Sequence, residues 1–360
     1  MVRAAVDPLV VARCGAQLLS GPRPAAAEQA VRHLLAVQGQ DPRGFRLAVR
    51  ARTDATTAAD VDAGLTDRRA LVVSWLHRGT LHLVAAEDYH WLHALTTPQL
   101  AVTAANRLAQ EGVAPEATDR GVAAVVEALQ ERGALGRDDL RTAVAAAGVP
   151  VAGQALVHVL LTASLRHHVI RGPVVGGDHR MVLAEQHLGP APALPERPVL
   201  LARLAERYLA AHGPASPRDL AYWAGLPLRD ARAGFGALTD RTRPVPSPDD
   251  DDLVDLVDRP SPDPAPTRLL GNFDPLLHGW RSRRPVLGEH DGAVVAGGVF
   301  RSTALVDGRA VGLWRVDGGR IRIAPFAPLP RSAERALLRD AADVRRFLAL
   351  PDRDAVVEAA

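Results

Sequence analysis

The chain has 360 residues, 47% of them hydrophobic and 23% charged, enough for about two to four small cored domains and unlike a disordered chain. Its 43 basic residues are all arginine, and 41 acidic residues leave a formal charge of +2. No side chain can therefore form a Schiff base, hold pyridoxal phosphate or act as a P-loop lysine, and the α-amino group at Met1, the one primary amine, is expected to be pinned by the apolar helix that follows it. The lone cysteine, Cys14, excludes an internal disulfide and a thiolate zinc cluster, and an aromatic content of 4% disfavours binding single strands by successive base stacking.

In chain order, an apolar N-terminal run leads into a predicted helix over Ala25–Val37. "QGQDPRGFRLAVR" follows, read as two glutamines flanking Gly39 and then an extended, arginine-rich strand. "AADVDAGLTDRR" is a predicted helix, and "ALVVSWLHRGTLHLVAAED" is expected to run from an apolar helix into a strand ending at Val84, with Arg78 between them. From Leu135 the pattern sharpens into a polar-started short helix, a turn at Gly148, an amphipathic helix and a hairpin over Gly176-Gly177, which is the winged-helix arrangement. Thr142–Ser164, the most apolar stretch, is broken by Gly148, Pro150 and Gly153 and fits two short buried helices better than a membrane span.

The same order recurs in "VLLARLAERYLAAHG", in "SPRDLAYWAGL" with Ser216 as N-cap, and in "LRDARAGFGALTD". An acidic, proline-rich segment over Pro244–Pro266 stands where a wing belongs, and its aspartates, Asp249 to Asp252, would repel phosphate. The last quarter alternates β-rich runs with Asp-Gly turns at Asp307-Gly308 and Asp317-Gly318, before a helix from about Ser332 to Leu348. The expected fold is α+β: winged-helix units over 1–113, 114–196 and 197–267, then an antiparallel β-barrel-like domain over 268–360. With no signal peptide and no membrane span in view, the expected location is cytoplasmic.

"LLAVQGQDPRG", "WLHRGTLHLVAAEDYHWL", "LLGNFDPLLHGWRSR" and "VFRSTALVDGRAVGLWRV" resemble, in matching order, the tandem winged-helix proteins of the bacterial AlkZ and YcaQ group. The resemblance implies a monofunctional DNA glycosylase that removes bulky N7-alkylated purines and unhooks interstrand crosslinks, and suggests self-resistance in a producer of a DNA-alkylating compound. The group's hallmark is Gln-hydrophobic-Gln, with Asp last in the YcaQ branch. This chain has Gln38, Gly39 and Gln40, with glycine where an aliphatic residue is usual.

The residue types suit that chemistry. Alkylation at N7 makes the purine a cation with a weakened glycosidic bond, so little or no general acid is needed. What remains is to hold a water near C1′ beside an oxocarbenium-like sugar, which two carboxamides can do by donating and accepting hydrogen bonds. The alternative for Gln38 and Gln40 is a helix cap or a backbone-pairing role at a helix–strand junction. Asp41 could serve as a base, although an Asp-Pro step more often opens a turn.

Candidate DNA-binding residues are Arg43 and Arg46 after the glutamines, Arg78, Arg171, His179 and Arg180 around the Gly176-Gly177 hairpin, and Arg281, Arg283 and Arg284 beside Trp280. For each the alternative is solvated or core arginine. His90, His93, His167 and His168 lack the companions that would complete a metal site, so neither metal nor cofactor is expected. The expected partner is double-stranded DNA carrying alkylated or crosslinked purines, bound by a monomer. The competing reading is a non-catalytic winged-helix transcription regulator, which would dimerise on a palindrome and tolerate loss of the glutamines.

Overall fold

The computed structural model describes residues 7–247 and 252–359. Asp249, Asp250 and Asp251 of the acidic segment, and the α-amino group at Met1, lie outside the described residues. The chain forms two compact units, Met1–Val61 with Pro198–Ala360, and Asp62–Arg197, so the segment 1–113 is shared between them.

In the Asp62–Arg197 unit, Leu71–Leu76 and Thr80–Ala85 form an antiparallel hairpin, and Val73 faces Arg171 of a second hairpin, Val169–Val175 with Asp178–Leu183. The expected helix over "LVVSWL" is thus a strand, and Arg78 sits exposed in the turn His77–Gly79 rather than between a helix and a strand. All six residues of that strand are buried, so it lacks the period-two alternation that distinguishes strand from helix in sequence. The helices Arg137–Ala146 and Ala155–Leu165 stand where the expected pair was placed, separated by Gly148 at φ 70°. Their apolar faces meet the helix Pro115–Arg132 and the hairpin in a core that includes Val125, Leu129, Leu140, Val144, Leu156, Val159 and Met181.

In the other unit the N-terminal helices are Pro8–Ala16, Ala27–Leu34 and Pro42–Arg50. The second is shorter than expected, because the chain leaves helix at Leu35 (φ 68°) and extends through the two-residue strand Val37–Gln38. The third replaces the expected strand. Asp41 is its N-cap, accepting from the Arg43 amide at 2.9 Å, and Pro42 takes the first helical position, where its missing N–H costs nothing. Arg197–His212, Pro217–Ala224 and Leu228–Gly236 follow, with Ser216 capping the second through a reciprocal box with Asp219. A short β-pair, Thr242–Pro244 with Val254–Leu256, brackets the acidic segment.

The C-terminal strands form an open sheet rather than a barrel, ordered Val356–Val357, Arg320–Pro325, Arg309–Asp317, Thr303–Val306, Arg268–Leu270. Its edge strands are two and three residues long and do not pair with each other. Arg331–Phe347 packs on the sheet through Ala333, Leu337, Ala341, Val344 and Phe347, so a helix buries the face that closure would have buried. Asp307 and Gly308 both take positive φ, 50° and 74°, in the expected hairpin turn. The next turn falls on Gly318-Gly319, one residue beyond the expected pair, and Asp317 is still in its strand.

Candidate active site

Gln38 ends the short buried strand and is 7% exposed, while Gln40, two residues on, is exposed just before the cap of the helix Pro42–Arg50. The Gln38 Nε2 donates to Gln40 Oε1 at 3.2 Å, so the structure brings the two carboxamides into direct contact. Gln38 Oε1 is buried and has no partner among the described residues. A buried acceptor left unmade is costly, and such atoms in native folds call for an ordered water or a ligand group. The pair therefore offers one buried acceptor and an exposed amide, both uncharged.

A loop from the far end of the chain supports this corner. Leu269 and Leu270 end an edge strand, Gly271–Phe273 turn, and Asp274 caps the helix Pro275–His278. A Cβ on Gly44 would overlap the carbonyl oxygen of Asn272 and lie 3.2 Å from Asp41 Cβ, so that loop abuts the first turn of the helix that follows Gln40. A Cβ on Gly271 would stand 2.8 Å from Leu47 Cβ. Both glycines are therefore dictated by backbone approach. Arg52 locks the contact: its guanidinium donates to both Asp274 oxygens at 2.8 and 2.9 Å and to Gln17 Oε1 at 2.6 Å, with the pair fully buried.

The arginines expected to reach phosphate divide sharply. Arg43 is exposed and makes no ion pair among the described residues. Arg46 is 8% exposed, donates to Pro42 O at 2.7 Å and lies over the Phe45 ring at 4.8 Å, which turns it back onto its own helix. Arg50, further along the same helix and not one of those expected at phosphate, is buried against Asp340 and Asp343, each at 3.0 Å. Arg281 and Arg284 are exposed beside the buried Trp280, whereas Arg283 is held by Asp291 at 3.0 Å and lies over Phe300.

In the other unit Arg171 lies over the Trp75 ring at 5.2 Å, and burial together with nearby Arg137 lowers its pKa. Arg180 is 3.8 Å from Asp139, and His179 flanks the exposed Gly176-Gly177 tip. The histidines are packed rings: His93 and His167 stand 3.6 Å apart, and burial pulls the pKa of His93 down to about 3. Among the described residues no group of histidine, cysteine or carboxylate side chains is arranged to hold a metal, and no helix is long and apolar enough to cross a membrane.

Two features escaped the sequence reading. Arg52 and Asp274 are 222 positions apart, and nothing local marks them as partners. Asn272 lies within the quoted "GNFDP" run, and its place against Gly44 follows only from the fold.

A family model described as DNA glycosylase AlkZ-like matches residues 31–347. The interstrand DNA cross-link repair glycosylase of Streptomyces sahachiroi is 27% identical over 341 residues, covering 89% of this chain and 90% of that protein. The solved structure of the Streptomyces sahachiroi DNA glycosylase AlkZ matches with a TM-score of 0.80 at 25% identity, over 99% of this chain and all of that one. With the family model spanning most of its length and the glutamine pair in contact at the helix start, the chain belongs to the AlkZ-like family of DNA glycosylases.

Proposed function

We propose that this protein is a monofunctional DNA glycosylase that hydrolyses the N-glycosidic bond of bulky N7-alkylated purines in duplex DNA and unhooks interstrand crosslinks. The observation that carries the reading is the unpartnered, buried Gln38 Oε1 beside Gln40. That acceptor can take a hydrogen bond from water and orient its lone pair toward C1′ of the sugar. The electron pair of the C1′–N9 bond leaves with the purine, neutralising the cation, and the water oxygen bonds to C1′ and releases its proton to solvent. Neutral carboxamides do not ionise, so the pair suits a leaving group that arrives already charged, and activity on undamaged nucleosides should be slight.

Three winged-helix units over 1–113, 114–196 and 197–267 fit this role. Support comes from the helix pair followed by a hairpin in residues 137–183, and from the helix pair followed by a β-pair in 217–256. Phosphate contacts are assigned to Arg43, Arg78, Arg281 and Arg284, which are exposed, and more weakly to Arg46, Arg171, His179, Arg180 and Arg283, which are partly buried or already engaged. The protein acts as a cytoplasmic monomer without cofactor.

Gln38→Ala and Gln40→Ala should each cut single-turnover excision from an N7-alkylated duplex by about two orders of magnitude or more while duplex affinity changes little. Near-normal excision by both would return the glutamines to a structural role. With no lysine to form an imine at C1′ and water as the nucleophile, the product should be an intact abasic strand, cleaved only by later alkali, with no borohydride-trapped adduct; a trapped adduct would show that the α-amino group attacks instead.

A further inference from the structure

Asn272 occupies a position that the glutamine chemistry leaves unused. Its backbone carbonyl touches Gly44, the residue after the exposed Arg43, and Asp41 lies against the same point. Its side chain is oriented from behind, because Ser302 Oγ donates to Asn272 Oδ1 at 2.8 Å. In this arrangement the oxygen is taken by the hydroxyl, and the Nδ2 of this half-buried residue makes no hydrogen bond to the described residues.

The loop around it is held under strain. Phe273 takes φ 57°, a left-handed backbone that a bulky residue adopts only at a cost. Its ring is kept in place by Phe300 and His278, with centroids at 5.7 and 5.8 Å, its amide by Phe300 O at 3.3 Å, and the following Asp274 by Arg52. A non-glycine residue held in this region by those contacts fixes the backbone course of the loop that carries Asn272. Packing alone does not require the amide group of Asn272, since only its oxygen is used.

We propose that Asn272 donates from Nδ2 to a backbone phosphate oxygen of the DNA strand, the phosphate flanking the nucleotide under attack, and shares that phosphate with Arg43. The assignment rests on the glycosylase reading for the identity of the nucleotide, but not for the contact itself. A neutral and a cationic donor on backbones that meet at Gly44, four residues after Gln40, would set the register of the scissile sugar against the water-holding pair, as phosphate contacts commonly do. Asp41 is the opposing charge nearby; as N-cap it accepts from the Arg43 amide at the positive end of the helix, which offsets part of that charge.

The test uses the full chain and duplexes with a single bulky N7-guanine adduct, a nitrogen-mustard monoadduct, either unmodified or with a neutral methylphosphonate replacing the phosphate on one side of the lesion. Asn272→Ala should weaken duplex binding by about fivefold to tenfold, the scale of one net hydrogen bond, and slow single-turnover excision at least as much. The methylphosphonate on one flank should cost the wild type a similar factor and cost Asn272→Ala clearly less. Asn272→Asp keeps the Ser302 bond but puts a carboxylate toward phosphate, so it should bind worse than Asn272→Ala on the unmodified duplex and recover on the methylphosphonate one. Its melting temperature, compared with wild type, separates misfolding from lost contact.

Equal methylphosphonate penalties for wild type and Asn272→Ala at both flanks would overturn the assignment, and so would wild-type affinity in both variants. If coupling appears in binding but the wild type excises nothing, the phosphate contact stands and the glycosylase reading falls. If excision proceeds without coupling, the reverse holds.

Discussion

Arg52 shows how a charge far from any ligand can govern a site. Its guanidinium and the Asp274 carboxylate are both fully buried, and it also donates to Gln17 and to Ala48 O at 2.9 Å. A buried pair of this kind contributes little net stability compared with apolar packing, yet removing one partner strands the other charge without water. Arg52→Met should therefore destabilise the protein by about 3–5 kcal/mol in urea unfolding, and Asp274→Asn by somewhat less because an amide can still accept one of the two bonds. A loss below 1 kcal/mol in Arg52→Met would show that solvent reaches the pair. Gln38 has the opposite character, since its buried oxygen has no protein partner to lose.

The helix Pro42–Arg50 ties the glutamines to the Asn272 loop, and Gly44 is where the two backbones meet. In an ordinary helix interior, Gly→Ala adds up to about 1 kcal/mol of stability. Here the sign should reverse, because the new Cβ meets a carbonyl oxygen rather than a mobile side chain, and Gly44→Ala should cost about 1–3 kcal/mol and lower excision. Gly236→Ala, where a Cβ meets nothing within 4 Å, is the matched control and should be neutral or stabilising in thermal melts.

The same helix shows what sequence can and cannot carry. The units punctuated by glycine were legible, because Gly148, Gly176-Gly177 and Asp307-Gly308 mark turns through backbone conformations that other residues resist. Pro42–Arg50 was misread as a strand although Asp41-Pro42 is a helix-start signature, since the same dipeptide also opens turns. Leu71–Leu76 was misread as a helix because burial on both faces erases its alternation. For the site, the two glutamines were visible as a pair, while their support by Asn272 and by Arg52 with Asp274 depends on contacts across more than 200 positions, which no local pattern encodes.

For the protein as a whole, acid is the natural adversary. Burial pulls the pKa of His93 and His212 down to about 3 and that of His82 to about 4, below the ordinary value of 6.5. The folded state keeps these rings neutral while the unfolded chain binds protons once the pH falls below 6.5, so the unfolded state takes up more protons and stability drops with falling pH. Each ring should contribute about 1.4 kcal/mol of lost stability per pH unit between 6.5 and its folded value. Urea midpoints should thus be flat above pH 7 and decline from pH 6.5 to 4. A midpoint constant down to pH 4.5 would mean that the rings are solvated.

Cys14 gives the composition a chemical meaning beyond folding. Its side chain is fully buried, and burial pushes the thiol pKa up to about 12, so almost no thiolate exists at neutral pH. With no lysine side chain and the one sulfhydryl protonated inside the core, the chain presents neither a lysine amine nor a thiolate to an electrophile. What remains for an electrophile is imidazole, thioether and carboxylate, from 13 histidines, two methionines and 41 acidic residues.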